Sequence, residues 1–165
     1  MPHLTRMPWV PADIPGEVWR DVPGYEGRYW VSDHGRAFSS TKQGARLLKP
    51  SRGRYMLIVL YGPGSKRSTR NVHVLVMRAF VGPCPVGMEV CHNNGDVTDN
   101  RLSNLRYGTP RDNASDSKLH GTNKESRKTH CRNGHKFDKK NTYITKEGTR
   151  QCRVCKRERM RRYRP

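Results

Sequence analysis

Apolar residues in this chain come in short runs broken by glycine and proline, and few runs follow a helical period. From Glu17 to Ser39, pairs such as Val18-Trp19, Tyr29-Trp30-Val31 and Ala37-Phe38 are separated by Pro23-Gly24, Gly27 and Gly35. That punctuation predicts small strands joined by turns. Arg46–Pro50 and Tyr55–Tyr61 continue as strands, with a turn at Gly62-Pro63-Gly64 and a basic hairpin carrying Lys66, Arg67 and Arg70. Val72–Phe80 reads as a strand end passing into a short buried helix stopped by Gly82-Pro83. A strand is expected to end at His92 and a second to run through Leu102–Tyr107. Thr109 and Pro110 then fit the N-cap and first position of a helix that carries Asn113. The result is a β-hairpin followed by a helix. Residues 1–16 lack periodicity and read as an extended arm, and residues 121–130 as a linker. The segment 131–165 predicts two short strands around Glu147-Gly148 and a basic helix from Arg153 to Arg164.

Composition narrows the class. The 165 residues carry a formal charge of +19 with 33% hydrophobic side chains, too few for one large core. Residues 1–120 hold 17 basic and 10 acidic side chains, and residues 121–165 hold 16 and 4. The excess therefore lies in the tail, which suits a grip on a polyanion such as nucleic acid. No run suits a bilayer crossing and no export signal opens the chain, so a cytoplasmic protein is expected.

Five cysteines without an export signal argue against a disulfide framework. Three of them fall into Cys131-Arg-Asn-Gly-His135 and Cys152-Arg-Val-Cys155, the paired spacing of a tetrahedral zinc site. Gly134 suits the tight turn between Cys131 and His135. His130 is the alternative fourth ligand. A tail with so few apolar side chains needs such a staple to fold. In the basic helix, Arg153, Lys156, Arg157, Arg159, Arg161 and Arg162 are candidate phosphate contacts giving sequence-independent affinity.

Residues 89–113 hold the candidate chemistry. A neutral histidine such as His92 can take a proton near neutral pH. An asparagine can lend an oxygen to a hard divalent cation, and another can tie the loop. His73, beside apolar residues, reads as a packed histidine. His34 and His120 read as surface or capping residues, and Asn113-Ala-Ser115 as an idle glycosylation sequon. Arg106 is a candidate phosphate contact or simply an exposed arginine.

The stretch Val72-His73 … Ala79-Phe80 … Val90-Cys91-His92-Asn-Asn-Gly-Asp96 … Asp99-Asn-Arg-Leu-Ser-Asn104-Leu-Arg106-Tyr-Gly-Thr109 … Asn113 resembles HNH endonucleases, especially the phage and intron homing-type branch. Trp19–Tyr29 and Val31–Arg36 resemble the small N-terminal module of those nucleases, and the tail resembles the zinc-binding extension of some phage members. The resemblance implies an α+β protein. Its parts would be a strand-rich DNA-binding module at 17–70, a ββα-metal nuclease domain at 71–120, and a zinc-bound ββ-α module at 131–165. It also implies hydrolysis of double-stranded DNA with Mg²⁺ or Mn²⁺. His92 would be the general base, Asn104 the loop-orienting residue and Asn113 a metal ligand. The residue before the base is often Asp in this branch; here it is Cys91, a soft ligand, so Asp96 is a second candidate. A non-catalytic DNA-binding or packaging protein on a degenerate fold is the rival expectation. Oligomeric state is left open, with a monomer as the default.

Overall fold

The computed structural model describes residues 13–41, 44–122 and 127–163. Most of the expected N-terminal arm, part of the linker and Arg164 lie outside these residues. The chain divides into two compact units, residues 1–120 and 121–165.

In the first unit, β1 (Trp19–Asp21), β2 (Tyr29–Ser32), β3 (Ala37–Thr41) and β4 (Gly44–Leu48) form an antiparallel sheet in chain order. All four residues of β2 are buried, so this strand carries the hydrophobic weight of the sheet. A three-stranded sheet follows, made of β5 (Ser51–Arg52), β6 (Met56–Tyr61) and β7 (Arg67–Asn71). Helix α1 (Val72–Phe80) starts immediately after β7. The expectation of a strand end at Val72 is therefore corrected: the strand closes at Asn71, and Val72, Leu75 and Val76 bury at helical spacing. The helix ends as expected, with the amides of Val81 and Gly82 both donating to the Met77 carbonyl. Arg20 of β1 lies over the Phe80 ring and donates to the carbonyls of Ala79 and Phe80, a cation at the negative end of the helix.

One core runs through this unit. Val22, just past β1, and Tyr29, Val31 and Ala37 of the first sheet meet Ile58 and Leu60 of the second, α1, and Leu105. Fully burying a side chain such as Leu60 contributes about 1.5–3 kcal/mol. Against the same helix sits the hairpin of β8 (Glu89–His92) and β9 (Leu105–Gly108), followed by α2 (Pro110–Leu119). Tyr107 secures it by donating from its hydroxyl to the Gly82 carbonyl at 2.6 Å. Leu102–Asn104, expected in the second strand, instead form a 3-10 turn. The Leu102 amide donates to the Asp33 carbonyl, and Asn104 and Leu105 close short turns, so ladder pairing with β8 starts at Leu105.

The second unit pairs β10 (Thr142–Ile144) with β11 (Arg150–Cys152) and continues directly into α3 (Arg153–Arg162). Among its described residues Cys152 alone is buried. That is far too little apolar burial to order the unit. No helix among the described residues is long and apolar enough to cross a membrane.

Candidate functional site

The hairpin register sets the chemistry of the first unit. Cys91 stands opposite Arg106 and His92 opposite Leu105, so the two neighbouring side chains leave opposite faces of the strand. His92 points inward and is 7% exposed. Its ring lies parallel to Tyr55, 6.2 Å between centroids, and edge-on to His73 at 5.0 Å. Burial holds the His92 pKa below the ordinary histidine value, against the opposing effect of its hydrogen bond to Asn100 Oδ1. His73 is buried with its Nδ1 unpartnered, and burial together with His92 pushes it down to about 4. Both rings are thus kept neutral at physiological pH.

Asn100 fixes the tautomer. Its Nδ2 donates to the Thr98 carbonyl at 3.0 Å, which leaves Oδ1, 3.4 Å from His92 Nε2, as an acceptor. This contact favours the His92 tautomer with its proton on Nε2 and its lone pair on Nδ1. Asn100, Tyr55 and the contact with His73 were not foreseen from the sequence, because three separate segments meet only in the fold.

Asn104, 8% exposed, laces the loop between the strands. Its Nδ2 donates to Asn94 Oδ1 at 3.0 Å and to the Asp99 carbonyl at 2.8 Å, and its Oδ1 accepts from the Asn94 amide at 3.0 Å. The Arg101 guanidinium holds the Asp99 carboxyl down to about 2, so it stays charged while accepting from Asn94 Nδ2 at 3.0 Å. Beside the loop, Gly35 approaches so closely that a Cβ there would lie 2.7 Å from the Asn100 carbonyl carbon.

The other candidates spread over the opposite face and the loop tip. Asn113 rides on the first turns of α2, whose start is fixed by a capping box between Thr109 and Asp112. Its Nδ2 donates to Glu89 Oε1 at 2.6 Å. Cys91 is 1% exposed, and burial pushes its thiol up. Asp96 is spent on a local turn, accepting from the amide and hydroxyl of Thr98 at 2.9 and 2.7 Å. Arg106 is ion-paired to Asp116 and donates to Asn93 at 2.6 Å, so its guanidinium is tied within the unit.

In the second unit, Cys131, His135, Cys152 and Cys155 bring their ligand atoms within 4.8 Å of one another. The Cys131 Sγ–Cys155 Sγ distance is 3.6 Å, Cys131 Sγ–His135 Nδ1 is 3.5 Å and His135 Nδ1–Cys155 Sγ is 3.3 Å. A tetrahedron with bonds of about 2.3 Å to sulfur and about 2.0–2.1 Å to nitrogen has edges of roughly 3.6–3.8 Å. The four residues thus form a cluster that can hold zinc. His135 presents Nδ1 to the cluster and Nε2 towards Glu158, 4.0 Å away, as metal-binding histidines commonly do. His130 is turned to Thr129 instead. On α3, Arg153, Lys156, Arg157, Arg159, Arg161 and Arg162 are exposed, and Arg153 and Lys156 flank the Tyr143 ring.

These features have known counterparts. Residues 70–115 match the HNH endonuclease family and residues 17–61 the NUMOD4 motif. The chain is 37% identical over 106 residues to the DNA endonuclease I-HmuI of Bacillus phage SP01, covering 63% of this chain and 59% of that protein. It is 32% identical over 101 residues to the uncharacterized HNH endonuclease L247 of Acanthamoeba polyphaga mimivirus, covering 59% and 25% respectively. The chain therefore spans less than two thirds of these two relatives. A solved structure describing DNA binding and cleavage by the HNH homing endonuclease I-HmuI matches with a TM-score of 0.58 at 29% identity, over 87% of this chain and 83% of that one. The buried histidine, the laced loop and the capped helix thus belong to an HNH endonuclease domain that follows a NUMOD4 motif, in a chain homologous to the phage homing endonuclease I-HmuI.

Proposed function

We propose that the protein is a metal-dependent endonuclease that hydrolyses phosphodiester bonds of double-stranded DNA in the cytoplasm. The observation that carries this reading is His92, held neutral by burial with its proton placed on Nε2 by Asn100. The free Nδ1 lone pair takes a proton from the attacking water, and Asn100 accepts the hydrogen bond that steadies the resulting imidazolium. Asn104 keeps the loop, and with it Asn100, in register with the strand. Asn113, a hard oxygen donor on α2, is the residue to hold a divalent cation such as Mg²⁺ or Mn²⁺. When bound, that ion stabilises charge on the scissile phosphate and the departing oxygen. Neither Cys91, a buried soft donor, nor Asp96, engaged by Thr98, matches the demands of such an ion.

The tail supports the partner assignment. Zinc held by Cys131, His135, Cys152 and Cys155 supplies the stability that its small core lacks, and α3 offers cations to phosphates. A monomer suffices for these roles. The rival reading, a DNA-binding protein without catalysis, draws on Cys91. Supercoiled plasmid separates the two. Metal-dependent nicking by the wild type that His92→Ala abolishes supports the enzyme. Salt-sensitive binding that survives EDTA, without nicking by either protein, supports the rival.

A further inference from the structure

We infer that Glu89 supplies the carboxylate oxygen missing at Cys91, and holds the divalent cation together with Asn113. This rests on the nuclease reading and deepens it by naming the second protein ligand.

The placement follows from the strand. Glu89 and Cys91 are two residues apart on β8 and therefore share a face. Cys91 is closed off on that face: a Cβ at Gly108 would lie 3.1 Å from its Sγ and 3.6 Å from Asp112 Cβ. Glu89 is exposed and stands opposite Gly108, beside the start of α2. Its carboxylate already meets the Asn113 amide at 2.6 Å. A half-turn of that amide exchanges Nδ2 for Oδ1, and two hard oxygens then converge on one point. Two protein oxygens would leave room for water and phosphate oxygens around the ion, which suits Mg²⁺.

The neighbouring carboxylates are committed elsewhere. Asp112 closes the helix cap with Thr109, and Asp116 pairs with Arg106. Asp96 is bound to Thr98, and Asp99 to Arg101. Glu89 is the carboxylate turned to Asn113.

The test uses Mn²⁺ as probe on the zinc-loaded 165-residue chain, with the free-ion electron paramagnetic resonance signal as readout. The wild type should bind Mn²⁺, and Glu89→Gln and Asn113→Ala should each weaken binding at least about tenfold, no less than loss of an outer-shell partner costs. Cys91→Ser should stay within about twofold of wild type. Glu89 is exposed, so Glu89→Gln should melt like the wild type. Full Mn²⁺ affinity in Glu89→Gln, loss of binding in Cys91→Ser comparable to Asn113→Ala, or no binding by the wild type would each overturn the assignment. Mn²⁺ binding that depends on Glu89 in a protein that nicks no plasmid sinks the nuclease reading and leaves the ligand. Nicking by the wild type with undiminished Mn²⁺ affinity in Glu89→Gln sinks the ligand alone.

Discussion

Gly35 lies in the N-terminal sheet region, yet substituting it should disturb His92, the proposed general base. Its φ is +77°, and a Cβ would sit 2.7 Å from the carbonyl carbon and oxygen of Asn100 and 2.8 Å from its Cβ. Ordinary carbon contacts are about 3.5–4.0 Å, so the two backbones must part by roughly 1 Å. Gly35→Ala then combines a left-handed backbone penalty of about 1–2 kcal/mol with overpacking of about 1–3 kcal/mol. Reduced freedom of the unfolded chain returns about 0.4–1 kcal/mol. Gly27 is the control: its φ is +72°, but nothing lies within 4 Å of its would-be Cβ. Gly27→Ala should cost about 0–1.6 kcal/mol by the same terms. Urea unfolding should therefore place Gly35→Ala about 1–3 kcal/mol below Gly27→Ala. Moving Asn100 also lengthens a contact to His92 Nε2 that is already 3.4 Å, so cleavage should fall roughly 10- to 100-fold in Gly35→Ala and little in Gly27→Ala. If the two variants unfold alike and cut alike, the coupling from Gly35 through Asn100 to His92 is wrong.

Burial lowers the His92 pKa, so the acid limb of a kcat/KM–pH profile for cleavage should fall below 6.5, with activity lost as pH drops through it; a limb above 6.5 contradicts this. His73 binds a proton at about pH 4 when folded and near 6.5 when unfolded, so its stabilising contribution is complete above 6.5 and is lost as pH falls towards 4. The loss should approach roughly 3 kcal/mol in urea titrations, and His73→Gln should flatten that slope. Asn104→Ala leaves the Asn94 amide and the Asp99 carbonyl without partners and should destabilise the first unit by about 1–3 kcal/mol with a larger loss of cleavage. Chelation of the zinc proposed for the tail, or Cys152→Ser, should melt α3 in circular dichroism and weaken DNA binding, most visibly at low salt.

What the sequence disclosed were the features encoded locally. The capping pair Thr109 and Pro110, the terminator Gly82-Pro83 and the two spaced ligand pairs of the tail all act within a few residues, and each reappears in the structure. Where distant segments decide, reading residue by residue failed. Leu102 looks like a strand residue by pattern, but its amide goes to Asp33, some seventy positions earlier, and the segment tightens into a turn. Nothing around Tyr55 or Asn100 marks them as neighbours of His92, and Glu89 carries no motif. Their positions come from sheet register and the packing of α1.

The core shared by the N-terminal sheets and the hairpin limits how this chain can be recombined. Val72, Leu75 and Val76 pack together with Val31, Leu60 and Leu105 in a single cluster. Removing residues 17–61 would strip the cover from one side of α1 and leave the nuclease segment with an exposed apolar face. Residues 70–115 grafted behind a different N-terminal module would therefore need new side chains along that helix. The boundary between the two family matches is therefore not a seam in folding.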